Sequence, residues 1–533
     1  MTVRRVMGTE TEYAISAPAV SHANPVQLSF DVIGAAADPE RSRIRWDYRQ
    51  EDPVNDARGT RLERAAARPD MLTDEPQLNI VNVIAPNGGR MYVDHAHPEY
   101  SAPETTDPFE AVRYDHAGDL LMRRAAASAS AGTGHDIVLH RNNVDGKGAS
   151  WGTHENYMML RSVPFDTVAA LMTAHFVSRQ IYAGSGRVGI GERSETAGYQ
   201  LSQRADYIHA ILGLQTTFER PIVNTRDESH SPSDYRRLHV IVGDANRMDV
   251  PQTLKLGATS MLLWLAEHAD ETGYDLAALL DSMALVDPVS AMHTVSHDLT
   301  LQAELPLRDG GVTNAWIMQV RLRAAVYEMG ALVYGTDTRG EPLWPDKPTT
   351  GIMALWGQAL ADVAAIRHAD DDTRLNMQPE ASRVEWLMKW QLLERLRRRH
   401  GLSWNDPKLR AIDLGWAALD PVRSIFEKVR SRTERTVDDR QVADAAGNAP
   451  QTTRAWLRAA VVNRYASQVV AVSWSHLTVR RHDAPQMGES RTAMRAVRSS
   501  GRPTCARSTC PIRAPSTRRT WPRSWTARET PMS

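Results

Sequence analysis

Two carboxylate-rich segments, GTETEY at residues 8–13 and RMYVDHAHPEY at residues 90–100, lie where the surrounding sequence alternates in the manner of β-strands. Successive side chains on a strand point to opposite faces, so Glu10 shares a face with Glu12, and Arg90 shares one with Tyr92 and Asp94. Burying a charge costs several kcal/mol unless it is paired or binds a metal, so a face carrying two acids beside a cation is a poor core. Such a face reads instead as one wall of a site for a polyvalent cation. The expectation is a magnesium–nucleotide site on an open sheet.

At 533 residues the chain has room for one large catalytic domain with a smaller appendage, or for two to four average domains. No apolar run approaches the ~20 residues that span a bilayer, and the first residues pass into a strand pattern without a secretion-type stretch. A cytoplasmic protein without a membrane partner is expected. The net charge of −1 conceals an asymmetry: residues 491–533 hold ten Arg, no Lys and one acid, Glu529, a balance of +9 that leaves −10 for the rest. A mildly acidic body argues against nucleic acid as the main partner, because phosphate binding needs clustered cations. Both cysteines, Cys505 and Cys510, fall in the basic tail, which removes disulfides and thiol chemistry from the body and fits a reducing compartment.

Residues 36–88 have few periodic apolar positions and read as a long, partly mobile insertion. Beyond it the pattern predicts strands near 90–95, 136–141, 153–161 and 236–242, and helices near 107–130, 165–183 and 252–268. That mixture points to an α+β sheet enzyme. A helix is expected over 382–400, with Ser382 and Glu385 as a capping box and Gly401 as its stop, then a helix over 452–465 and a strand from Val469 to Trp474. Three parts follow: a catalytic domain over 1–420, a small domain over 421–485, and a tail over 486–533 too poor in apolar residues to order. The tail's two cysteines lack the partners of a zinc site.

In RRLHVIVGDAN, Leu238, Val240 and Val242 form an apolar face, while Arg237 and His239 fall on the other with Ile241. His154 and Asn156 likewise share a face in GTHENYMML. Four strands each presenting oxygen, imidazole or guanidinium groups on one side suit Mg²⁺ and phosphate together. His95 and His97 have the spacing of a transition-metal pair but no third His or Cys nearby. The glycines of GSGRVGIG (184–191) follow a helical pattern rather than a strand, which favours a turn at a helix end over a dinucleotide fingerprint. There is no G-x-x-x-x-G-K-[ST] phosphate loop, so any ATP must be held by side chains and metal. Asp94 is the catalytic candidate: an ordinary Asp, with a pKa of about 3.9, is ionised at neutral pH and serves as nucleophile or orienter, the competing reading being a structural ion pair with Arg90.

These segments, with NNVDGKGASWGTHENY (142–157), LSQRADYI (201–208), VNTRDESHSPSDYRRLHVIVGDAN (223–246) and APQTTRAWLR (449–458), together resemble the family of the Pup ligase and the Pup deamidase/depupylase. Pup is the small ubiquitin-like protein that marks bacterial proteins for the proteasome. The resemblance runs from residue 3 to about 480 and implies a fold related to glutamine synthetases: a curved, mostly antiparallel sheet backed by helices, cradling ATP and Mg²⁺, with a small C-terminal domain. Carried over by motif, Asp94 would be catalytic. Glu10, Glu12, Tyr92, Glu99, His154 and His239 would be metal ligands or their neighbours. Arg90, Ser101, Asn156, Arg226 and Trp474 would contact the nucleotide, Trp474 near its base.

The VDHAHPEYSAPE form of the acidic motif and the insertion with its WDY and DARG resemble the depupylase branch, with residues 43–75 as the loop that separates the two branches. The implied chemistry is hydrolysis of the isopeptide bond between Pup and a substrate Lys, and deamidation of Pup's terminal Gln to Glu. ATP-consuming Pup ligation and a catalytically inactive Pup-binding scaffold are the alternatives. Pup, disordered alone, would fold into a groove on the enzyme. Family members continue past residue 474 with a mixed-charge ending, whereas here the Arg/Pro/Ser/Thr segment from Gln486 reads as an out-of-frame or otherwise unusual tail.

Overall fold

The computed structural model describes residues 3–63, 82–228 and 230–480. The rest of the insertion and the basic tail with Cys505 and Cys510 lie outside the described residues, and with them the expectations of mobility and disorder placed there.

Six strands form the principal sheet: β1 (Met7–Glu12), β2 (Asn82–Ile84), β3 (Arg90–Asp94), β4 (His97–Ser101), β5 (Thr153–Leu160) and β6 (Tyr235–Val240). Their order is β6-β5-β1-β4-β3-β2, and every neighbouring pair is antiparallel. With helices behind it, this is the α+β, mostly antiparallel architecture anticipated from the sequence. Period-2 alternation holds along these strands: Leu238 and Val240 are buried in the principal core, whereas Arg237 and His239 fall on the opposite face.

Helices α1 (Pro25–Ala35) and α2 (Pro108–Thr133) pack behind the sheet. The start of α2 is fixed by Asp107, whose carboxylate accepts from the Glu110 N–H, with Pro108 at the first helical position, and its end by Gly134 in the left-handed region (φ 73°). Close approach of α2 needs Gly118, because a Cβ there would lie 2.1 Å from Cδ1 of Tyr100. A larger helical core surrounds α3 (Phe165–Ser178), α4 (Asp249–Thr272), α5 (Ala315–Tyr334) and α6 (Lys347–His368). Among the described residues α6 alone is long and apolar enough to cross a membrane by length and composition, but it carries Lys347, Asp362 and Arg367, half of its most apolar 18-residue window is buried, and it packs on α4 and α5.

The expected helix over 165–183 breaks at Arg179 into Phe165–Ser178 and Gln180–Ala183. GSGRVGIG leaves the helix at Gly184 in an extended conformation and then forms a turn and the strand Arg187–Ile190; Gly186, Gly189 and Gly191 take positive φ in the turn, within the strand and just after it, so the left-handed glycines are not the helix cap itself. The capping box at Ser382 does not form. The helix runs Glu385–His400 with Val384 at its N-cap; Ser382 Oγ donates to the Pro379 carbonyl, and the Glu385 carboxylate accepts the N–H groups of Arg247 and Met248 and the indole N–H of Trp416. Tertiary demand for a buried acceptor outweighs the local cap.

The small C-terminal sheet is built from Val469–Val472, Leu477–Val479 and, running parallel to the first, Arg45–Trp46. The first part of the insertion is thus a strand of that sheet.

Candidate active site

Strand register brings the sequence-predicted residues together. Glu10 lies opposite His154 on one side and Ser101 on the other, and Glu12 opposite Glu99. Glu99 faces Tyr92, Ser101 faces Arg90, His97 faces Asp94, and Asn156 faces His239. Directly opposed residues share a face, so ten of the twelve site residues named from the sequence lie on the one face turned away from α1 and α2. The remaining two approach from elsewhere. Arg226 follows the strand Arg220–Asn224 and is close enough for its charge to act on His239. Trp474 follows Val469–Val472, with its ring edge-on to Trp46 at 5.1 Å.

At the centre, carboxylate oxygens of Glu12, Asp94 and Glu99 lie within 4.8 Å of one another. Glu99 is buried, and its carboxyl is pushed well above the usual range, first by burial and then by the charges of Asp94, Glu12 and Glu10. The Tyr92 hydroxyl beside it is raised for the same reasons. Asp94 sits at the rim, its side chain 41% exposed, 3.0 Å from Nδ1 of His95. Burial works against its ionisation, but the His95 hydrogen bond and the charges of His95, His154 and His97 hold it below the normal carboxylate value. His95 occupies the left-handed region (φ 52°) in the β3–β4 turn, while His97 lies 3.6 Å from Glu12 and against Trp151. The two histidines therefore attend different carboxylates rather than forming a metal pair.

A row of imidazoles and amides continues across the sheet. His154 Nε2 is 3.2 Å from Glu12 Oε1, and its ring lies over Gly152, where a Cβ would approach it to 2.1 Å. Asn156 donates to Glu10 (3.1 Å), and its oxygen accepts from Arg237 (3.0 Å) and from Nδ1 of His239 (2.9 Å). Because that oxygen only accepts, Nδ1 of His239 carries the proton; burial and Arg237 keep the ring neutral, leaving Nε2 with a lone pair. Three crowded carboxylates, a fourth acid at Glu10 and a neutral imidazole form a donor set suited to a hard divalent cation.

Beside Glu10 opens a cavity of about 520 Å³, lined among others by Ser101, Asn156, Arg237, Arg454 and Trp474. Three of the five residues expected to contact nucleotide therefore line it; Arg90 and Arg226 do not. Arg454 and Glu104 were missed as site residues. Glu104 accepts from Arg454 (2.7 Å) and from Arg458 (2.5 Å), which hold its carboxyl down to about 2 against the effect of burial. The only sequence signal for Arg454 was its place in APQTTRAWLR. Arg237 was visible as the cation next to His239 on a polar face but had no role until its bonds to Asn156 and Glu228 were seen.

The chain matches the family described as "Pup-ligase protein" over residues 5–478. It is 41% identical over 480 residues to a Pup deamidase/depupylase of Mycolicibacterium smegmatis, covering 89% of this chain and 91% of that protein. A depupylase of Acidothermus cellulolyticus is 40% identical at similar coverage, and a Pup–protein ligase of Micrococcus luteus 35% identical over 75% of this chain and 84% of that protein. Among solved structures, the Pup ligase PafA in complex with Pup superposes with a TM-score of 0.70 at 26% identity, covering 90% of this chain and 86% of the other. PafA in complex with ADP gives 0.63 at 29% identity, covering 75% and 84%.

Proposed function

The chain belongs to the Pup-ligase protein family, and on that premise we propose that it is a hydrolase of that family, cleaving the isopeptide bond of pupylated proteins and deamidating the terminal Gln of Pup, with ATP and Mg²⁺ as cofactors. The observation that carries the site is the meeting of Glu12, Asp94 and Glu99 on one sheet face with no counter-cation among the described residues closer than the imidazoles. Support for hydrolase over ligase comes from the relatives: those named depupylase are more similar and align over more of this chain than the ligase does.

Glu12 and Glu99, with Glu10 and His154 beside them, would hold the divalent ion, and Asn156, Arg237 and Arg226 the phosphates, with Trp474 at the base. When bound, the divalent ion would supply the positive charge that polarises the scissile carbonyl, and the nucleotide would help hold that ion in place. Asp94 does the work at the rim. Ionised and reachable, its oxygen either attacks the carbonyl carbon or takes a proton from the water that does. In either case the C–N bond breaks, the amine leaves as lysine or ammonia, and water supplies the oxygen of the new carboxylate. Isopeptide cleavage and deamidation open the same bond, so one site serves both.

Pup and pupylated proteins are the proposed partners, in a cytoplasmic pathway that feeds the bacterial proteasome. The absence of cysteine from residues 1–504 fits a reducing compartment. The test mixes the full chain with a pupylated substrate, Mg²⁺ and ATP, and separately with Pup ending in Gln. Release of substrate and conversion of Gln to Glu without stoichiometric ATP loss are expected; conjugation of Pup with matching ADP formation would establish the ligase instead. Asp94→Asn should abolish turnover while nucleotide still binds, and an active variant would remove Asp94 from its role.

A further inference from the structure

Two arginines from opposite sides of the polar face are each fixed by one stretch of chain, residues 44–58. On β3, next to the edge strand β2, Arg90 is buried, its guanidinium carbon 4.1 Å from the Trp46 ring centroid and 3.9 Å from that of Tyr92. Its Nε donates to Asn82 (2.8 Å) and its Nη2 to the Tyr48 hydroxyl (3.0 Å). Glu51 stands 4.0 Å away and spends its carboxylate on the Trp46 indole N–H (2.7 Å). Trp46 in turn is locked by pairing with Val472 and by its edge contact with Trp474 on the cavity wall.

Beside β6, Asp56 is buried and paired with the Arg58 guanidinium (2.6 and 3.0 Å); its carboxylate also accepts from the Arg58 N–H (2.9 Å) and from the Thr225 hydroxyl (3.0 Å). Ala57 N–H donates to the Thr225 carbonyl (2.8 Å), Asp56 bridges to Arg226, and Asn55 exchanges two hydrogen bonds with Asp227. Arg226 is thus gripped on both sides through its backbone, yet its buried Nε has no hydrogen-bond partner. Arg226 as a whole is only partly buried, so the remainder of its guanidinium can meet an anion from solution.

We propose that residues 44–58 are a brace in which Trp46 positions Arg90 and Asp56 positions Arg226, so that both guanidinium groups are preset for the polyphosphate of a nucleotide. The brace rests on the nucleotide-binding part of the function above. It gives a use to a polar stretch that carries two strand residues and a buried Asp: Trp46 covers one cation, and Asp56, paired with Arg58, fixes the backbone that carries the other.

The test is a pair of double-mutant cycles on the full chain, reading the affinity for Mg–ADP by calorimetry. Trp46→Leu and Asp56→Asn are each expected to weaken binding about tenfold, the size associated with a desolvated cation–π contact or a buried charge-assisted bond. In the Arg90→Ala background Trp46→Leu should add nothing, and in the Arg226→Ala background Asp56→Asn should add nothing. Trp46→Phe, which keeps a ring over Arg90, and Thr225→Val, which removes only the hydroxyl, serve where the stronger changes unfold the chain: the first should retain most of the affinity and the second lose part of it. Arg61→Ala, just past that stretch and in an exposed pair with Asp52, should bind as the parent does. Additive losses in both cycles would overturn the brace while leaving nucleotide binding intact, whereas a parent that fails to bind Mg–ADP would overturn both readings.

Discussion

Replacing Glu99 by Gln should make the metal-free protein more stable and the metal-loaded protein less so. The oxygens of Glu12, Asp94 and Glu99 lie within 4.8 Å of one another, and at that limit two like charges in an effective dielectric of about 20 repel by about 3.5 kcal/mol. Glu99 belongs to two of the three pairs. Its carboxyl is raised, by burial first and by its acidic neighbours next, which fixes the sign of the pH dependence. Below the unfolded value of about 4.3 both states are protonated and nothing is lost; as pH rises through it the unfolded chain ionises first, and stability falls until the native carboxyl ionises too. The penalty is therefore confined to pH above the unfolded value. Gln keeps the shape, discards the charge, and offers an oxygen to the Tyr92 hydroxyl that donates to Glu99.

The assay is urea unfolding of both proteins in chelator and in Mg²⁺, at about pH 7 and again near pH 4, where linkage removes the difference. In chelator at the higher pH the variant should exceed the parent by up to about 3 kcal/mol, one relieved pair, and the gap should close at the lower pH. With Mg²⁺ the parent should gain stability and the variant gain little. A variant less stable than the parent in chelator at neutral pH would refute the assignment of Glu99 as a repelled, cation-seeking carboxylate.

Two further outcomes follow from buried groups near the site. Glu104, held down to about 2 by Arg458 and Arg454 despite burial, contributes stability that is present above its unfolded value and lost as pH falls toward 2. Glu104→Gln should cost about 3 kcal/mol at neutral pH and flatten the acid limb of the stability profile; an unchanged acid limb in unfolding scans would contradict it. Gly118→Ala would set a Cβ 2.1 Å from the Tyr100 ring, so α2 and β4 must separate, at a cost of about 1–3 kcal/mol. Because Tyr100 adjoins Glu99, hydrolysis should fall together with the melting temperature, and a variant matching the parent in both would show that α2 does not need that glycine.

The sheet and most of its site were legible because strand alternation is strict: once Glu10, Asp94, His154 and His239 are placed on strands, the period of two sends them to one face and cross-strand register does the rest. Information that is not local was lost. Glu104 meets Arg454 across 350 residues of chain, and nothing in either neighbourhood marks the pairing. The capping box at Ser382 failed because Glu385 is drawn inward by Arg247, Met248 and Trp416, contacts that local sequence does not announce. The polar composition around WDY and DARG concealed a two-residue strand whose partner, Val469–Val472, lies at the far end of the described chain.

What distinguishes the working face from the structural one is how each treats its acids. On the rear face Glu155 receives a bidentate grip from Arg179 at 2.6 and 3.0 Å and the Tyr157 hydroxyl at 2.6 Å, and Asp115 accepts from Thr9 and pairs with Arg141 at 2.5 Å. Those carboxylates are neutralised within the protein, as buried charges in a core must be. On the front face, one residue away along the same strands, Glu12 has, among the described residues, only imidazoles within ion-pair reach, and Glu99 is the neighbour of two more acids. The sheet thus carries identical residue types in opposite electrostatic states, and only the front set lacks a permanent partner. A fold that neutralises its acids on one side and leaves Glu12 and Glu99 without a cationic side chain on the other has the electrostatics that the proposed cation site requires.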